Sequence, residues 1–185
     1  MNLDKNFILS IFTSLLILSA CSSEKNTASD EIEGIELDLT INKQEFTQND
    51  EIIAKVILTN HNDSPREIFV PIPVDTEEGI SAVMVEKKDK MEWQLLSPEN
   101  KQDISNIKGR SFYDYVLVEI GANETIEQEF IWNKKLLNQE TKEIVKADNG
   151  EYVLSTFVIL DEIKTQEEYY EPEKQVISKL NFTIK

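Results

Sequence analysis

One histidine and one cysteine, His61 and Cys21, are the residues in this sequence most suited to chemistry. Nucleophilic catalysis needs a nucleophile, a base and an orienting group held together. Zinc sites need several Cys or His ligands around one ion. His61 stands between two asparagines in the polar run 60–65, which is the setting of a solvated turn residue. The sequence therefore predicts no catalytic residue, no metal site and no cofactor.

Carboxylates are abundant, with 35 Asp and Glu residues, and they leave two alternatives open. A pair of them could hydrolyse glycans, but that chemistry needs a substrate cleft, which a small sandwich with short loops seldom has. Calcium could bind the acidic loops at 49–51, 75–78 and 161–162, although their spacing matches no EF-hand loop. The same acidic residues are also expected if these loops are surface turns whose carboxylates are hydrated. A glycan-acting enzyme and a calcium-dependent adhesion module stay as alternatives.

An exposed aromatic pair is the strongest sequence signal for a contact surface. Tyr169 and Tyr170 lie in the run QEEYYEPEK, between two predicted strands. Tyrosines give a large contact area at low entropic cost, so such pairs are frequent at interfaces. The alternative is that one ring covers the edge of the folded domain. We take Tyr169 and Tyr170 as candidate interaction residues.

The first 20 residues have the layout of a secretory signal peptide. Lys5 and the terminal amine form a short basic end, an apolar run follows from 7 to 18, and small residues close the segment. The run is too short for a bilayer core, which needs about 20 apolar residues. The end of this leader and the residue after it, Leu18-Ser19-Ala20-Cys21, resemble the lipobox of bacterial lipoproteins.

The lipobox resemblance implies that Leu18, Ser19 and Ala20 direct signal cleavage and that the thiol of Cys21 carries a diacylglycerol. Two acyl chains hold a protein stably on a membrane, whereas one chain holds it reversibly. The expected location is the extracytoplasmic face of the cell membrane, with a lipid anchor. Ordinary secretory cleavage and an uncleaved anchor are the alternatives.

Residues 21–34 are predicted to be the lipidated cysteine followed by a flexible linker. Ile32 is the one apolar side chain larger than alanine in the run from Ser22 to Glu33. A chain of that composition behaves as a coil. Since the sequence offers Cys21 no partner thiol, the domain at 35–185 must be stabilised by packing without a disulfide.

The formal net charge of -16 argues against nucleic acid as a partner, because DNA and RNA are bound through Lys and Arg patches. It also argues against adsorption of the protein surface to anionic headgroups, so a lipid has to supply the attachment. Solubility is the simplest role of this charge. A cationic partner is the alternative.

From Ile35 onward, apolar and polar residues alternate in short runs separated by turn residues, which is typical of half-buried strands. The clearest runs are IELDLTI, EIIAKVILTN, TIEQEFIW and VISKLNFTIK. No run has the period of an amphipathic helix. We predict one immunoglobulin-like antiparallel β-sandwich of about eight to nine strands over 35–185. Residues 133–149 are either one helical turn or a long loop.

Three segments in this order resemble the BsuPI-type proteinase inhibitor family: EIIAKVILTNHNDSPREIFV, GANETIEQEFIW and NGEYVLSTFVI. With Trp93, the resemblance extends over most of 35–160. It implies an immunoglobulin-like module whose founding activity is inhibition of a serine proteinase. The hairpin at Lys90-Met91-Glu92-Trp93 lacks the glycine that is typical of the family, and 133–149 is long.

The combined expectation is a membrane-anchored lipoprotein whose domain is a non-enzymatic protein-binding module at the cell envelope. Its expected partners are the membrane, through the lipid, and another envelope protein, through loops at one end of the sandwich. Proteinase inhibition is the first alternative. The sequence defines no oligomeric state.

Overall fold

The computed structural model is an all-β protein built from two sheets, and it describes residues 26–71, 83–96, 107–110, 115–160 and 174–185. These residues form fourteen strands and no helix. None of them belongs to a helix that could cross a membrane. The strands are β1 Thr27–Ile32, β2 Ile35–Ile41, β3 Glu45–Phe46, β4 Ile52–Asn60, β5 Arg66–Pro71, β6 Val83–Lys87, β7 Glu92–Leu96, β8 Ile107–Arg110, β9 Tyr115–Ile120, β10 Thr125–Trp132, β11 Lys135–Asn138, β12 Ile144–Lys146, β13 Gly150–Ile159 and β14 Gln175–Ile184.

The predicted all-β sandwich is confirmed, with more strands than the eight to nine expected. The additional strands include short ones, such as β3 with 2 residues and β12 with 3 residues. Alternation cannot be detected over so few positions, because a period of two needs about four residues to show.

The smaller sheet has the order β1-β2-β4-β10, and all of its pairs are antiparallel. The alternation predicted for β2 is confirmed, since its apolar side chains are buried and its polar ones are half-buried. The buried residues of β2 are Ile35, Leu37, Leu39 and Ile41. Burial of side chains of this size stabilises the fold by about 1.5–3 kcal/mol each.

The larger sheet has the order β12-β11-β7-β6-β13-β5-β9-β8, and β14 pairs with both β13 and β3. The β14–β3 pair is parallel, and the other pairs in this sheet are antiparallel. The β13–β14 pair is the longest, from Gly150 opposite Ile184 to Ile159 opposite Gln175.

An edge strand lies within the segment 21–34 that was predicted to be a flexible linker. Residues 27–32 form β1, which pairs with residues 35–40 of β2. Ala28 and Ile32 pack against the core, and Asp30 Oδ2 accepts a hydrogen bond from the Ile177 backbone N–H at 2.8 Å. The polar composition of residues 27–32 gave no sequence signal for a strand, because an edge strand with one covered face needs few large apolar residues. The folded domain thus begins before residue 35.

Segment 133–149 is neither a helical turn nor an irregular loop over its length. It contains β11 and β12, which pair through Lys135 opposite Lys146, Leu136 opposite Val145 and Leu137 opposite Ile144. β11 also pairs with β7, at Leu137 opposite Trp93. This pairing places two hairpins, β6–β7 and β11–β12, side by side in one sheet.

The two ends of the sandwich are formed by different kinds of loop. We call one end of the sandwich the hairpin end, because it contains the turns 88–91 and 139–143 of the two hairpins. The same end contains the loops 42–51 and 147–149 and Lys134. At the opposite end, which we call the turn end, lie the tight turns 33–34, 61–65 and 121–124.

Candidate functional site

A groove of about 610 Å³ lies between the two hairpins at the hairpin end. One wall comes from the β6–β7 hairpin and the other from the start of the β11–β12 turn. Its lining combines an ammonium, carboxylates, an amide and a thioether, supplied by Asp89, Lys90, Met91, Glu92, Asn138 and Glu140. Concave surfaces of this size, with convergent polar groups, are where binding sites are usually found.

Local backbone geometry fixes both walls. Asp89 has a φ of 63° and closes the β6–β7 turn, a conformation that Asp tolerates better than most residues. In the other hairpin, Asn138 Oδ1 accepts hydrogen bonds from the backbone N–H of Glu140 at 2.9 Å and of Thr141 at 3.0 Å. The Gln139 N–H donates to the Met91 carbonyl at 2.8 Å and ties the two turns together.

A cluster of charges lies behind the groove and is partly removed from water. Lys87 is buried, and its ammonium forms an ion pair with Asp148 Oδ1. Lys90 Nζ lies 3.5 Å from Asp148 Oδ2 and 3.9 Å from Glu92 Oε1. Burial and the neighbouring Lys90 ammonium lower the pKa of Lys87, while Glu92 acts in the opposite direction. Lys90 and Glu92 at the groove wall thus belong to the same cluster of charges as Lys87 and Asp148.

Tyr152 connects this cluster to the hydrophobic core. Its hydroxyl donates to the Asp148 carbonyl at 2.7 Å, and Lys87 Nζ lies 5.8 Å from the ring centroid. Burial, followed by the charge of Glu92, raises the pKa of Tyr152 to about 12. The ring stacks on Phe182 with centroids 5.4 Å apart and contacts Trp132 edge-on at 5.3 Å. The groove therefore rests on a rigid aromatic cluster.

Two large apolar side chains are exposed within the described ranges, and both belong to these hairpins. Met91 is 66% exposed in the β6–β7 turn, and Ile144 is 65% exposed at the start of β12. Ile144 is opposite Leu137, which is opposite Trp93, and side chains paired across strands share one face of a sheet. Leu137 and Trp93 are half-buried. An apolar row therefore crosses this sheet from Trp93 to its edge at Ile144.

The lining of the groove suits binding by contact and charge. Its six side chains include no hydroxyl, thiol or imidazole. Across the part of the chain that the structure describes, no group of three or more His, Cys, Asp or Glu side chains could hold a metal ion. Carboxylate pairs are still present, since Asp89, Glu92 and Glu140 all line the groove.

Most residues that the sequence singled out lie outside the described residues. These are the lipobox Leu18, Ser19, Ala20 and Cys21, the tyrosines Tyr169 and Tyr170, and the acidic runs 75–78 and 161–162. The lipid-anchor, interface and calcium predictions that depend on them stay predictions.

Asp50 in the acidic run 49–51 is engaged by its own loop. Its Oδ2 accepts from the Thr47 backbone N–H at 2.5 Å and from the Thr47 hydroxyl at 2.9 Å, and its Oδ1 lies 2.7 Å from Lys43 Nζ. Together these contacts, the Lys43 one foremost, lower the pKa of Asp50 to about 2. The carboxylate closes a turn, which is a structural role.

His61 directly follows the last residue of β4 at the turn end, which is the end opposite the groove, and its side chain is about half exposed. Its Nε2 lies 2.7 Å from Glu36 Oε2, and this contact, with a hydrogen bond from Ser29, lowers the pKa of Glu36. The turn position agrees with the sequence interpretation of His61. The contact with Glu36 on β2 was not predicted, because His61 and Glu36 are 25 residues apart in the sequence.

Sequence reasoning missed the groove and Met91. Met91 directly follows Lys88-Asp89-Lys90 in the turn that joins β6 to β7. The sequence signal that could have identified Met91 is an apolar residue directly after a charged turn. The second wall could not be found, because the β7–β11 pairing joins segments far apart in the chain.

No family model matches the chain, and no curated protein matches it. One solved structure that the chain matches is the β-glucosidase from Listeria innocua in complex with glucose, with a TM-score of 0.41 and 12% sequence identity. The match covers 81% of this chain and 16% of that chain. The likeness is too low to carry an argument about activity.

Proposed function

We propose that this chain is a lipid-anchored, non-enzymatic binding module whose partner is a protein of the cell envelope, held at the hairpin-end groove. The observation that carries the proposal is the groove itself. It combines an exposed apolar side chain, Met91, with charged groups of both signs.

The composition of the groove favours a protein segment as its ligand. Interfaces are built from an apolar anchor surrounded by polar groups that exclude water. Met91 supplies a flexible and polarisable anchor, a role that methionine fills at many binding surfaces. Lys90 and Glu92 supply polar groups of both signs beside this anchor.

The net charge of -16 adds a preference for a partner segment that carries Lys or Arg. Asp89 and Glu140 in the lining provide local carboxylates for such a segment. Opposite charges raise the rate of association more than they raise the final affinity. We therefore expect partner capture to weaken at high salt.

The anchor is supported by the leader and by Leu18-Ser19-Ala20-Cys21. Mass spectrometry of the mature protein tests it directly: the first residue should be Cys21, and it should carry a diacylglycerol. In Cys21→Ser the protein should leave the membrane fraction. An intact leader with an unmodified thiol in wild-type protein would contradict the anchor.

The groove is tested by photocrosslinking in intact cells with a photoreactive amino acid at Glu140, followed by identification of the adduct. Met91→Glu should remove the adduct, because a charge replaces the apolar anchor. Ala122→Glu is the matched control, since it adds the same charge to an exposed position at the turn end. Equal adducts from both variants would overturn the groove as the binding site.

Proteinase inhibition of the BsuPI type is the second candidate, favoured by the exposed position of Met91 on a hairpin turn that a protease cleft could take. Titration of a subtilisin-like enzyme with the purified protein tests it. Loss of protease activity at equal molar amounts, relieved by Met91→Glu, would favour inhibition over envelope binding.

A glycan-acting enzyme is the third candidate, because Asp89, Glu92 and Glu140 line one groove. Glycosidases use two carboxylates about 5–10 Å apart. Incubation of purified protein with envelope glycans tests this function. Release of reducing ends that disappears in Glu92→Gln would displace the binding proposal.

A further inference from the structure

The position at which the chain enters the sandwich determines which end faces the membrane. The Asn26 carbonyl accepts a hydrogen bond from the Ile41 N–H at 2.8 Å, and Asn42, the next residue, is bonded to Ile53. Both contacts lie at the hairpin end, beside the loop 42–51. The chain therefore leaves the described domain at the same end as the groove.

The remaining chain between Cys21 and Asn26 is short. A residue spans at most about 3.3–3.6 Å, so the five steps from Cys21 to Asn26 reach at most roughly 18 Å. The two ends of the sandwich are farther apart than that. β4 has 9 residues, and its steps of about 3.4 Å from the first residue to the last separate the ends by roughly 27 Å.

We infer that the hairpin end of the lipidated protein lies against the bilayer that holds Cys21, and that the turn end faces away from it. This inference rests on the proposed lipid anchor. An inverted domain would place Asn26 beyond the reach of the chain that joins it to Cys21. The turns of this end thus lie against a lipid surface, and the groove between them holds its partner segment at that surface.

The exposed apolar residues agree with this orientation. Met91 and Ile144, the two large apolar side chains exposed among the described residues, both belong to the hairpin end. Lys142 is two residues from Ile144 in the chain, and a long lysine stem can reach anionic headgroups while its apolar part covers the surface.

Acidic residues limit the depth of the contact. Asp89, Glu140 and Glu143 lie in the same two turns, and a carboxylate is repelled by anionic headgroups. The covalent anchor therefore brings the hairpin end to the membrane, and the contact stays at the level of the headgroups. The groove is then available to groups that lie at the membrane surface.

Cysteine probes test the orientation, because the chain has one cysteine and the proposed lipid occupies it. Thr141→Cys places an exposed thiol at the hairpin end, and Ser64→Cys places one at the turn end. Each lipidated variant is purified and reconstituted into vesicles of phosphatidylglycerol and phosphatidylethanolamine. The thiols are then labelled with a bulky maleimide and, separately, with a fluorophore that spin-labelled lipids quench.

In vesicles, the thiol of the Thr141→Cys variant should react several-fold more slowly than the thiol of the Ser64→Cys variant, and its fluorophore should be the one that is quenched. In detergent micelles the two rates should become equal. A linker lengthened by about 20 Gly and Ser residues after Cys21, with an added reach of roughly 25 Å, should remove the protection.

Equal reaction of the two thiols in vesicles would overturn the orientation while leaving the anchor intact. Protection of the hairpin-end thiol in cells but not in vesicles would also overturn it, since a protein would then be covering the hairpin end. If mass spectrometry shows no lipid on Cys21, the anchor fails first and the orientation fails with it.

Discussion

The two ends of the sandwich use their polar side chains in opposite ways. At the turn end, Asn60 is fully buried, and its amide nitrogen donates to the carbonyls of Ser64, Ile120 and Gly121. Its Oδ1 accepts from the backbone N–H and the side chain of Asn62. The Asn60 side chain thus joins the end of β4 to the turns 61–65 and 121–124, and both its amide nitrogen and its amide oxygen bond to groups inside the protein.

The hairpin end instead exposes apolar and charged side chains at its surface. Its cluster of Lys87 and Asp148 is satisfied internally, but Met91 and Ile144 are exposed and Lys90 is about half exposed. Internal satisfaction is a mark of a structural role, whereas unused apolar and polar groups are a mark of a contact surface. This contrast is what the proposed binding role of the hairpin end rests on.

Among substitutions at the two ends of the sandwich, Asn60→Ala should give the largest loss of stability. It leaves several buried carbonyl and N–H groups without partners, and each costs about 1–3 kcal/mol when left unsatisfied, so we expect a loss of about 2–4 kcal/mol after relaxation. Chemical denaturation of the purified protein measures it. Asn149→Ala is the matched control at the hairpin end, because Asn149 is exposed and makes one side-chain hydrogen bond, with Gln48. Similar losses in both variants would contradict the contrast.

Gly34→Ala should cost less, about 1–2 kcal/mol, through strain in the β1–β2 turn. Gly34 has a φ of 75°, and an added Cβ would lie 2.8 Å from Asn62 Nδ2. The control is Gly121→Ala in the same end of the sandwich, where the nearest atom, Glu124 Oε2 at 2.9 Å, is the tip of a flexible side chain. Thermal melts should show the larger shift for Gly34→Ala, and the reverse order would argue against strain as the cause.

The parts of the fold that were predictable are those with a local signal. Alternation over β2, β4, β10 and β14 identifies strands with one buried face, and the structure buries the faces that alternation indicates. β1 has no such signal. Its inward side chains are Ala28, Asp30 and Ile32, and Asp30 reaches across to the backbone of Ile177 instead of packing. A polar strand of this kind is recognisable only from its partner.

The candidate site was less predictable than the fold, for the same physical reason. Met91 was visible as an apolar residue after a charged turn, but Asn138 and Glu140 join it only through the β7–β11 pairing. Pairing between strands far apart in sequence depends on the packing of the whole sheet, which local propensity does not encode. Composition alone pointed to Tyr169 and Tyr170 as the contact surface.

Asp50→Asn should have a smaller effect that depends on pH. The pKa of Asp50 is lowered from 3.8 to about 2, because Lys43 and Thr47 favour its charged form. The carboxylate therefore adds stability above pH 3.8, and this contribution is lost as the pH falls toward 2. Melting temperatures of wild type and variant should differ above that window and converge below it. A difference that persists at the acid end would show that Asp50 acts through shape and not through charge.

The smallest effect on stability should come from the residues that matter most for contact. Met91→Ser and Ile144→Ser, alone and together, should change the free energy of unfolding by less than about 0.5 kcal/mol, since exposed side chains lose little by truncation. Phe130→Ser is the contrasting variant, because Phe130 is fully buried and should lose several kcal/mol. The same double variant should fail to capture the envelope partner. A stable double variant that still captures it would move the contact surface away from the hairpin end, and an unstable one would show that Met91 and Ile144 support the fold.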